Sequence, residues 1–128
     1  RVKDPDVLHA AYNDVAGVTA EFNLNLLDVL NRELGANFDR GNFEHYAFYN
    51  PDGNQIEMHL VCVDDQEVWF ELLERSLIVK EGEGIRTEIS RKFTRGSLEH
   101  LLGSAGFEVQ SHYEASSHLY SVVLARPL

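Results

Sequence analysis

Glu88 and Ser90 stand two residues apart in the stretch GEGIRTEISRKF, which has the pattern of a β-strand that follows a Gly-x-Gly turn. Alternate side chains of a strand point to the same side of a sheet, so this spacing aims a carboxylate and a hydroxyl at one spot. A carboxylate accepts hydrogen bonds from N–H groups, whereas a hydroxyl both donates and accepts. The pair is a candidate for binding a small polar ligand, although an exposed strand edge with polar side chains has the same pattern.

The other reactive residue types give weaker patterns. Ser90 has no visible His and Asp partners, so the sequence does not support nucleophilic catalysis. Arg91 and Lys92 are interpreted most simply as solvated charges. None of the six histidines has the spacing of a helical metal-binding motif, and no metal site is expected. These histidines are His9, His45, His59, His100, His112 and His118.

The composition limits the classes of partner. The chain has 128 residues, enough for one compact domain, and its net charge of −10 argues against nucleic acid and anionic membranes as partners. Cys62 is the single cysteine, so no internal disulfide can form, and a reducing cytoplasmic location is expected. No apolar run approaches the roughly 18–20 residues of a membrane span. Because the chain opens at Arg1 without Met, we expect it to be part of a longer protein.

Two helical segments open the chain. Pro5 suits the first turn of a helix with Asp4 as its N-cap, and Gly17 interrupts or ends this segment. A second apolar series at helical spacing predicts a helix that ends before Gly35. This series consists of Phe22, Leu26, Leu27, Leu30 and Leu34.

The middle of the chain predicts antiparallel strands. FEHYAFYN and QIEMHLVCV alternate on either side of the turn NPDGN, which predicts a hairpin of residues 43–49 with 55–63. EVWFELL and RSLIVKE predict a second hairpin with its turn near Glu74. GIRTEIS predicts one further strand.

The last third of the chain has a different pattern. TRGSLEHLLGSAGF predicts a short helix capped by Thr94 or Ser97 and ended at Gly106, and two strands joined by ASSH follow it. The predicted fold class is α/β, with an α+β arrangement in this chain: N-terminal helices, an antiparallel meander, then a helix and a terminal hairpin. Residues 1–93 and 94–128 are the two predicted regions.

Several stretches carry a resemblance to known proteins. LEHLLGSAGFEVQSHYEASSHLYSVVLARP is similar to the C-terminal end of class I S-adenosylmethionine-dependent methyltransferases. AAYNDVAGVTAEFNLNLLDVLNRELGANFD, FEHYAFYNPDGNQIEMHL and GEGIRTEISRKFT resemble, in order, the histidine-specific methyltransferase family, whose members make the betaine of histidine on the way to ergothioneine. The resemblance implies a substrate-recognition region in residues 1–93 and the end of the catalytic domain in residues 94–128.

The resemblance implies roles for four residues. Glu88 and Ser90 would contact the two ring nitrogens of the histidine imidazole, so that side chains lacking those nitrogens leave polar atoms of the protein unpaired. Tyr12 would bind the carboxylate end of the substrate with its hydroxyl, and Met58 would form a wall of the pocket. From the residues alone, packing on a helix face is favoured for Tyr12 and a place in the core for Met58.

The resemblance also implies a missing part. The family binds S-adenosylmethionine with a glycine-rich β–α unit, and this chain has no counterpart, since Gly82-x-Gly84 leads into a strand. We expect the cofactor to be bound by an N-terminal part outside this chain, and the chain alone to be inactive. Two alternatives stay open: a methyltransferase for a related amino acid, and a non-catalytic module that self-associates through exposed strand edges.

Overall fold

The computed structural model describes residues 1–128, which form three α-helices, seven β-strands and two short 3₁₀ turns. The helices are α1 (Pro5–Tyr12), α2 (Val18–Leu34) and α3 (Arg95–Ser104). The strands are β1 (Phe43–Asn50), β2 (Gln55–Cys62), β3 (Gln66–Phe70), β4 (Arg75–Val79), β5 (Gly84–Arg91), β6 (Phe107–Glu114) and β7 (Ser121–Pro127). None of the helices combines the length and the apolar character needed to cross a membrane.

The first two helices begin and end at specific local signals. Asp4 caps α1 by accepting a 2.8 Å hydrogen bond from the Asp6 N–H, as predicted. Asp14 caps α2 from outside the helix, because its two carboxylate oxygens accept the N–H groups of Val18 and Thr19 at 2.9 Å. Gly35 ends α2 with a left-handed φ of 60°, which confirms the predicted end of this helix.

The central sheet contains three antiparallel strands in the order β1-β2-β5. The predicted first hairpin is confirmed: Phe43 lies opposite Cys62, and Asn50 lies opposite Gln55. β5 then pairs with the other edge of β2, with an irregularity in the register between Met58 and His59. The sheet brings β5, which comes late in the chain, beside the first hairpin.

Both N-terminal helices pack on the same face of this sheet and bury alternate residues of β2. Under α2 lies one core cluster and under α1 a second, smaller one. The first cluster comprises Leu27, Phe38, Phe43, Leu60, Cys62, Val68 and Val79, and the second comprises Leu8, Ala47, Ile56 and Met58. Burial in the first cluster raises the pKa of the Cys62 thiol, which is consistent with a small buried side chain.

The predicted apolar stripe of α2 is wrong in part. Leu27 is fully buried, but Phe22 is 65% exposed, and the buried position in that turn of the helix is Asn23, at 2%. The helix therefore turns Asn23, and not Phe22, towards the sheet. Asn23 bonds there to polar groups that an apolar side chain would leave unpaired.

Leu27→Ala is expected to destabilise the chain by about 3 kcal/mol, because it removes a fully buried side chain and leaves a cavity. Urea denaturation followed by circular dichroism measures the free energy of unfolding. Leu72→Ala is the matched control, since Leu72 is 70% exposed and its truncation should cost less than about 0.5 kcal/mol. Equal losses in the two variants would contradict this placement of the core.

The opposite face of the sheet holds a buried carboxylate. Glu57 is 7% exposed, and its Oε1 accepts hydrogen bonds of 2.9 Å from the side-chain amides of Asn50 and Gln55. His59 lies 3.3 Å from its other oxygen. The bonds from Asn50, Gln55 and His59, in that order of importance, lower the pKa of Glu57 from 4.5 to about 2.

This depressed pKa predicts a pH dependence of stability. Folding favours the ionised form of Glu57, so its contribution is complete above pH 4.5 and is lost as the pH falls towards about 2. The difference in unfolding free energy between the wild type and Glu57→Gln should shrink over that interval. Glu67→Gln, at an exposed residue of β3, is the control. A difference for Glu57→Gln that is constant across the interval would contradict the prediction.

The remaining strands form two separate hairpins. β3 pairs with β4 through a 3₁₀ turn and Glu74, and β6 pairs with β7, so both predicted hairpins are confirmed. Thr94 caps α3 in a capping box with Ser97. The chain is therefore of mixed α+β type with antiparallel strands, whereas its arrangement as part of a methyltransferase and its division after residue 93 stay predictions.

Candidate functional site

β5 presents Glu88 and Ser90 on the face of the sheet that the helices cover. Glu88 lies opposite Met58 of β2, and Ser90 lies opposite Ile56. Met58 and Ile56 both belong to the core cluster beneath α1. The structure thus places the acid and the alcohol on one side of the sheet, with Ser90 next to the end of α1 and Glu88 next to the middle of α2.

Ser90 lies in a tight cluster with Tyr12 and Lys92. The Tyr12 hydroxyl donates to Ser90 Oγ at 2.8 Å, and Lys92 Nζ donates to both Ser90 Oγ and the Tyr12 hydroxyl oxygen at 2.7 Å. Lys92 Nζ also lies 4.7 Å from the centre of the Tyr12 ring. The Ser90 and Tyr12 hydroxyls therefore bond to each other. The Tyr12 phenol lies beside Ser90, although the family resemblance implies that the two residues contact opposite ends of the substrate.

The cluster changes the acidity of the phenol. Burial raises the pKa of Tyr12, but its hydrogen bonds with Lys92 and Ser90 and the positive charge of Lys92 lower it, and the net pKa is below its usual value of 10.0. A more acidic phenol is a better hydrogen-bond donor than a serine hydroxyl, which supports the direction of the bond from Tyr12 to Ser90.

Glu88 is a half-buried carboxylate with no hydrogen bond or ion pair inside the chain. It lies in an open cleft of about 210 Å³ between β5 and α2. The cleft is lined by Phe22, Asn23, Asn25, Leu26, Val29, Thr87 and Glu88. An unpaired carboxylate in a partly apolar cleft is free to accept a hydrogen bond from a ligand N–H group.

Met58 is 2% exposed and packs with Leu8, Ala47 and Ile56. The structure shows it as a core residue on β2 beside Glu88, and its role as a pocket wall stays a prediction. Its backbone carbonyl lies 3.1 Å from Thr87 Oγ1, so β2 also helps to fix the residue that precedes Glu88.

A buried polar chain connects both helices to this part of the sheet. Asn23 on α2 donates to His45 Nδ1 and to the His59 carbonyl at 3.0 Å, and it accepts from Thr87 Oγ1 at 2.5 Å. His45 Nε2 donates to the Tyr12 carbonyl at 2.8 Å. Since that carbonyl only accepts, the Nε2 atom of His45 carries a proton. The chain of bonds fixes Tyr12 relative to β5.

Further hydrogen bonds to the backbone hold Tyr12 and Lys92 in place. Asn13 docks the end of α1 on β1, because its side chain bonds to the Ala47 carbonyl at 3.0 Å and to the Ala47 N–H at 3.3 Å. The Lys92 N–H donates to the Asn54 carbonyl in the β1–β2 turn at 2.7 Å. Tyr12 and Lys92 are therefore held from both directions against Ser90.

Sequence reasoning missed Lys92, which it interpreted as a solvated charge. The signal was present: Glu88, Ser90 and Lys92 alternate, so all three side chains belong on one face of the strand. Asn23 and Thr87 had no comparable signal, because their partners are distant in sequence. No group of three or more His, Cys, Asp or Glu side chains is placed to hold a metal ion.

The chain is similar to known proteins over nearly its whole length. A family model described as histidine-specific, S-adenosylmethionine-dependent methyltransferase matches residues 1–127. The chain belongs to this family. A histidine N-alpha-methyltransferase of Mycolicibacterium smegmatis is 44% identical over 112 residues, which are 88% of this chain and 35% of that protein. The protein of the same name from Mycobacterium tuberculosis is 42% identical over 105 residues, 82% of this chain and 33% of the relative.

This member of the histidine-specific methyltransferase family spans about a third of the length of those relatives. The matched range includes Tyr12, Glu88, Ser90 and Lys92. Gly82 and Gly84 form the turn between β4 and β5 and lead into a strand. These residues do not fit S-adenosylmethionine, because a nucleotide-binding glycine loop opens a helix.

Proposed function

We propose that this chain is the histidine-binding part of an S-adenosylmethionine-dependent methyltransferase, which trimethylates the α-amino group of L-histidine in ergothioneine biosynthesis. The family match supports the methyltransferase activity. The observation that carries the choice of histidine is the unpaired Glu88 carboxylate on the same strand face as the Ser90 hydroxyl.

An imidazole ring offers two nitrogens to such a face. Glu88 accepts the N–H of one ring nitrogen, and Ser90 bonds to the other. Met58 lies beside Glu88 on the same face of the sheet and forms a wall of the pocket, since a thioether packs well against rings. Tyr12 serves the carboxylate end of the substrate, and to do so its hydroxyl turns away from Ser90 towards the ligand.

The contribution of this chain to catalysis is alignment of the substrate. A neutral amine held in line with a methyl donor reacts with a high effective concentration, without a metal or a covalent intermediate. S-adenosylmethionine supplies the methyl group and is bound by a part of the protein outside this chain. The free buried thiol of Cys62 is consistent with a reducing, cytoplasmic location.

The test uses the parent enzyme, meaning the methyltransferase that contains this chain in its full reading frame. Incubation with S-adenosylmethionine and L-histidine should give histidine with three added methyl groups, detected by mass spectrometry. Calorimetry on the chain alone should show no binding of S-adenosylmethionine. Preferential methylation of another amino acid would refute histidine as the substrate, and cofactor binding by the chain alone would refute the division of the enzyme.

One observation favours a second function, assembly. Large apolar side chains are exposed on both outer hairpins, including Leu77, Ile78, Val122 and Leu124. Exposed strands of this kind pair with other chains. If the chain is an assembly module, sedimentation will show a dimer of the isolated chain, and the parent enzyme will lack methyltransferase activity. An active parent enzyme excludes the purely non-catalytic alternative.

A further inference from the structure

Lys92 is a half-buried cation whose two side-chain hydrogen-bond partners are both hydroxyls. Its ammonium donates to Ser90 Oγ and to the Tyr12 hydroxyl oxygen, each at 2.7 Å. It forms no ion pair, whereas Lys80 at the surface pairs with Asp65 at 2.7 Å. The chain has 21 acidic residues against 11 lysines and arginines, so carboxylates are not scarce. Because a half-buried charge without a counter-charge is costly, this arrangement favours binding of an anion from outside the chain.

One N–H group of the ammonium is free to bind such an anion. An ammonium has three N–H groups, and Ser90 and Tyr12 use two of them. The residue is also fixed in place, because its backbone N–H donates to the Asn54 carbonyl at 2.7 Å and its Nζ lies 4.7 Å from the centre of the Tyr12 ring. The charge is therefore positioned before a ligand arrives.

The two ends of this strand face carry opposite charges. Glu88 is an unpaired carboxylate, the Ser90 hydroxyl follows two positions later, and the Lys92 cation follows after two more. An amino acid that places a ring N–H at Glu88 has its own carboxylate repelled from Glu88 and attracted to Lys92. In histidine, Nε2 then lies at Glu88, and Nδ1, the ring nitrogen nearer to the α-carbon, lies at Ser90. This orientation accounts for the bond between Tyr12 and Ser90, because it brings the carboxylate end of the substrate to the side of Ser90.

We infer that Lys92 binds the α-carboxylate of the substrate together with the Tyr12 hydroxyl, as the counter-charge that selects an amino acid over its uncharged analogues; this inference rests on the proposed function of binding histidine. Lys92 Nζ lies 2.7 Å from the Tyr12 hydroxyl oxygen, so the two oxygens of one carboxylate can each accept from one of these groups. The carboxylate takes the third N–H of the ammonium, and the bond from Lys92 to Ser90 stays in place.

A purely structural role of Lys92 has a different consequence for binding. If Lys92 only orients Tyr12 and Ser90, its removal weakens every ligand to the same extent. A counter-charge, in contrast, matters only for a ligand that has a carboxylate. L-Histidine and L-histidinamide separate the two roles, because the amide has nearly the same shape and the same imidazole ring but no negative charge.

Calorimetry on the parent enzyme, with S-adenosylhomocysteine present, measures the Kd of both ligands. The wild type should bind L-histidine about 30-fold more tightly than L-histidinamide, as expected of a hydrogen bond between charged groups. Lys92→Met should weaken L-histidine by about 30-fold and L-histidinamide by less than about three-fold, so the preference disappears. Every variant is compared with the same two ligands, so the different basicities of their amino groups cancel.

Two further variants make the result specific to the charge at this position. Lys92→Gln keeps an N–H donor for Tyr12 and Ser90 but no charge, so it should also lose the preference, and it serves as the test if Lys92→Met does not fold. Arg91→Met removes the neighbouring charge, which is exposed on the other face of β5, and should leave the preference unchanged. Equal weakening of both ligands in Lys92→Met would overturn the inference, as would a preference that survives in Lys92→Gln or is lost in Arg91→Met.

The wild type alone gives a further test, because equal Kd values for L-histidine and L-histidinamide would overturn the inference without any variant. Failure of the proposed function gives a different result. If the parent enzyme prefers another amino acid, histidine is wrong as the substrate, and the same comparison with that amino acid and its amide decides the role of Lys92. If the parent enzyme binds no amino acid, the proposed function and this inference both fail.

Discussion

Replacing Glu88 by alanine in the parent enzyme is expected to raise the KM for histidine by about 100-fold, because a hydrogen bond to a charged group contributes about 1.5–3 kcal/mol. The carboxylate makes no bond within the chain, so its loss should leave the folded protein intact. Steady-state kinetics at saturating S-adenosylmethionine measure the effect. Since Glu88 holds the ring, far from the reacting amine, KM should change more than kcat.

Two control variants make this result specific. Glu88→Gln keeps a carbonyl acceptor but removes the charge, so its KM should lie between those of the wild type and Glu88→Ala. Glu44→Ala removes an exposed carboxylate from β1 and should leave KM unchanged. An unaltered KM in Glu88→Ala would refute the assignment of this carboxylate to the imidazole ring, whatever the activity of the parent enzyme.

Local signals in the sequence were sufficient to predict most of the fold. Turns containing Pro and Gly, caps such as Asp4 and Thr94, and the glycine after α2 act over a few residues, and the structure has each of them. The pairing of β5 with β2 is different, because it joins residues about thirty positions apart and no local signal specifies the partner. The rotation of α2 escaped prediction because apolar spacing alone gave Asn23 no reason to be buried.

The candidate site, like the fold, was predictable from the sequence only in part. Alternation along β5 correctly places Glu88 and Ser90 on one face, and extending it by one step would have included Lys92. The contact of Tyr12 with Ser90 spans 78 positions, so only the folded sheet and the docked helix reveal it. The roles of Tyr12, Met58, Glu88 and Ser90 towards histidine stay predictions that the kinetic and binding measurements address.

Asn23→Ala is expected to destabilise the chain by about 4 kcal/mol, more than the loss of a core leucine, because it leaves several buried partners unpaired at about 1–3 kcal/mol each. The variant loses the bonds to His45, the His59 carbonyl and Thr87. Urea denaturation measures the loss. Asn25→Ala, two positions along the same helix and exposed, is the control and should change stability by less than about 0.5 kcal/mol.

The same variant should also weaken substrate binding in the parent enzyme. Asn23 fixes His45, which bonds to the Tyr12 carbonyl, and it fixes Thr87, which adjoins Glu88. Without Asn23, both Tyr12 and Glu88 lose a hydrogen-bonded support and are held less precisely. KM for histidine should therefore rise about ten-fold, even well below the unfolding temperature. A destabilised variant with unchanged KM would show that Asn23 supports only the fold, and that the cluster around Ser90 positions itself without the buried polar chain.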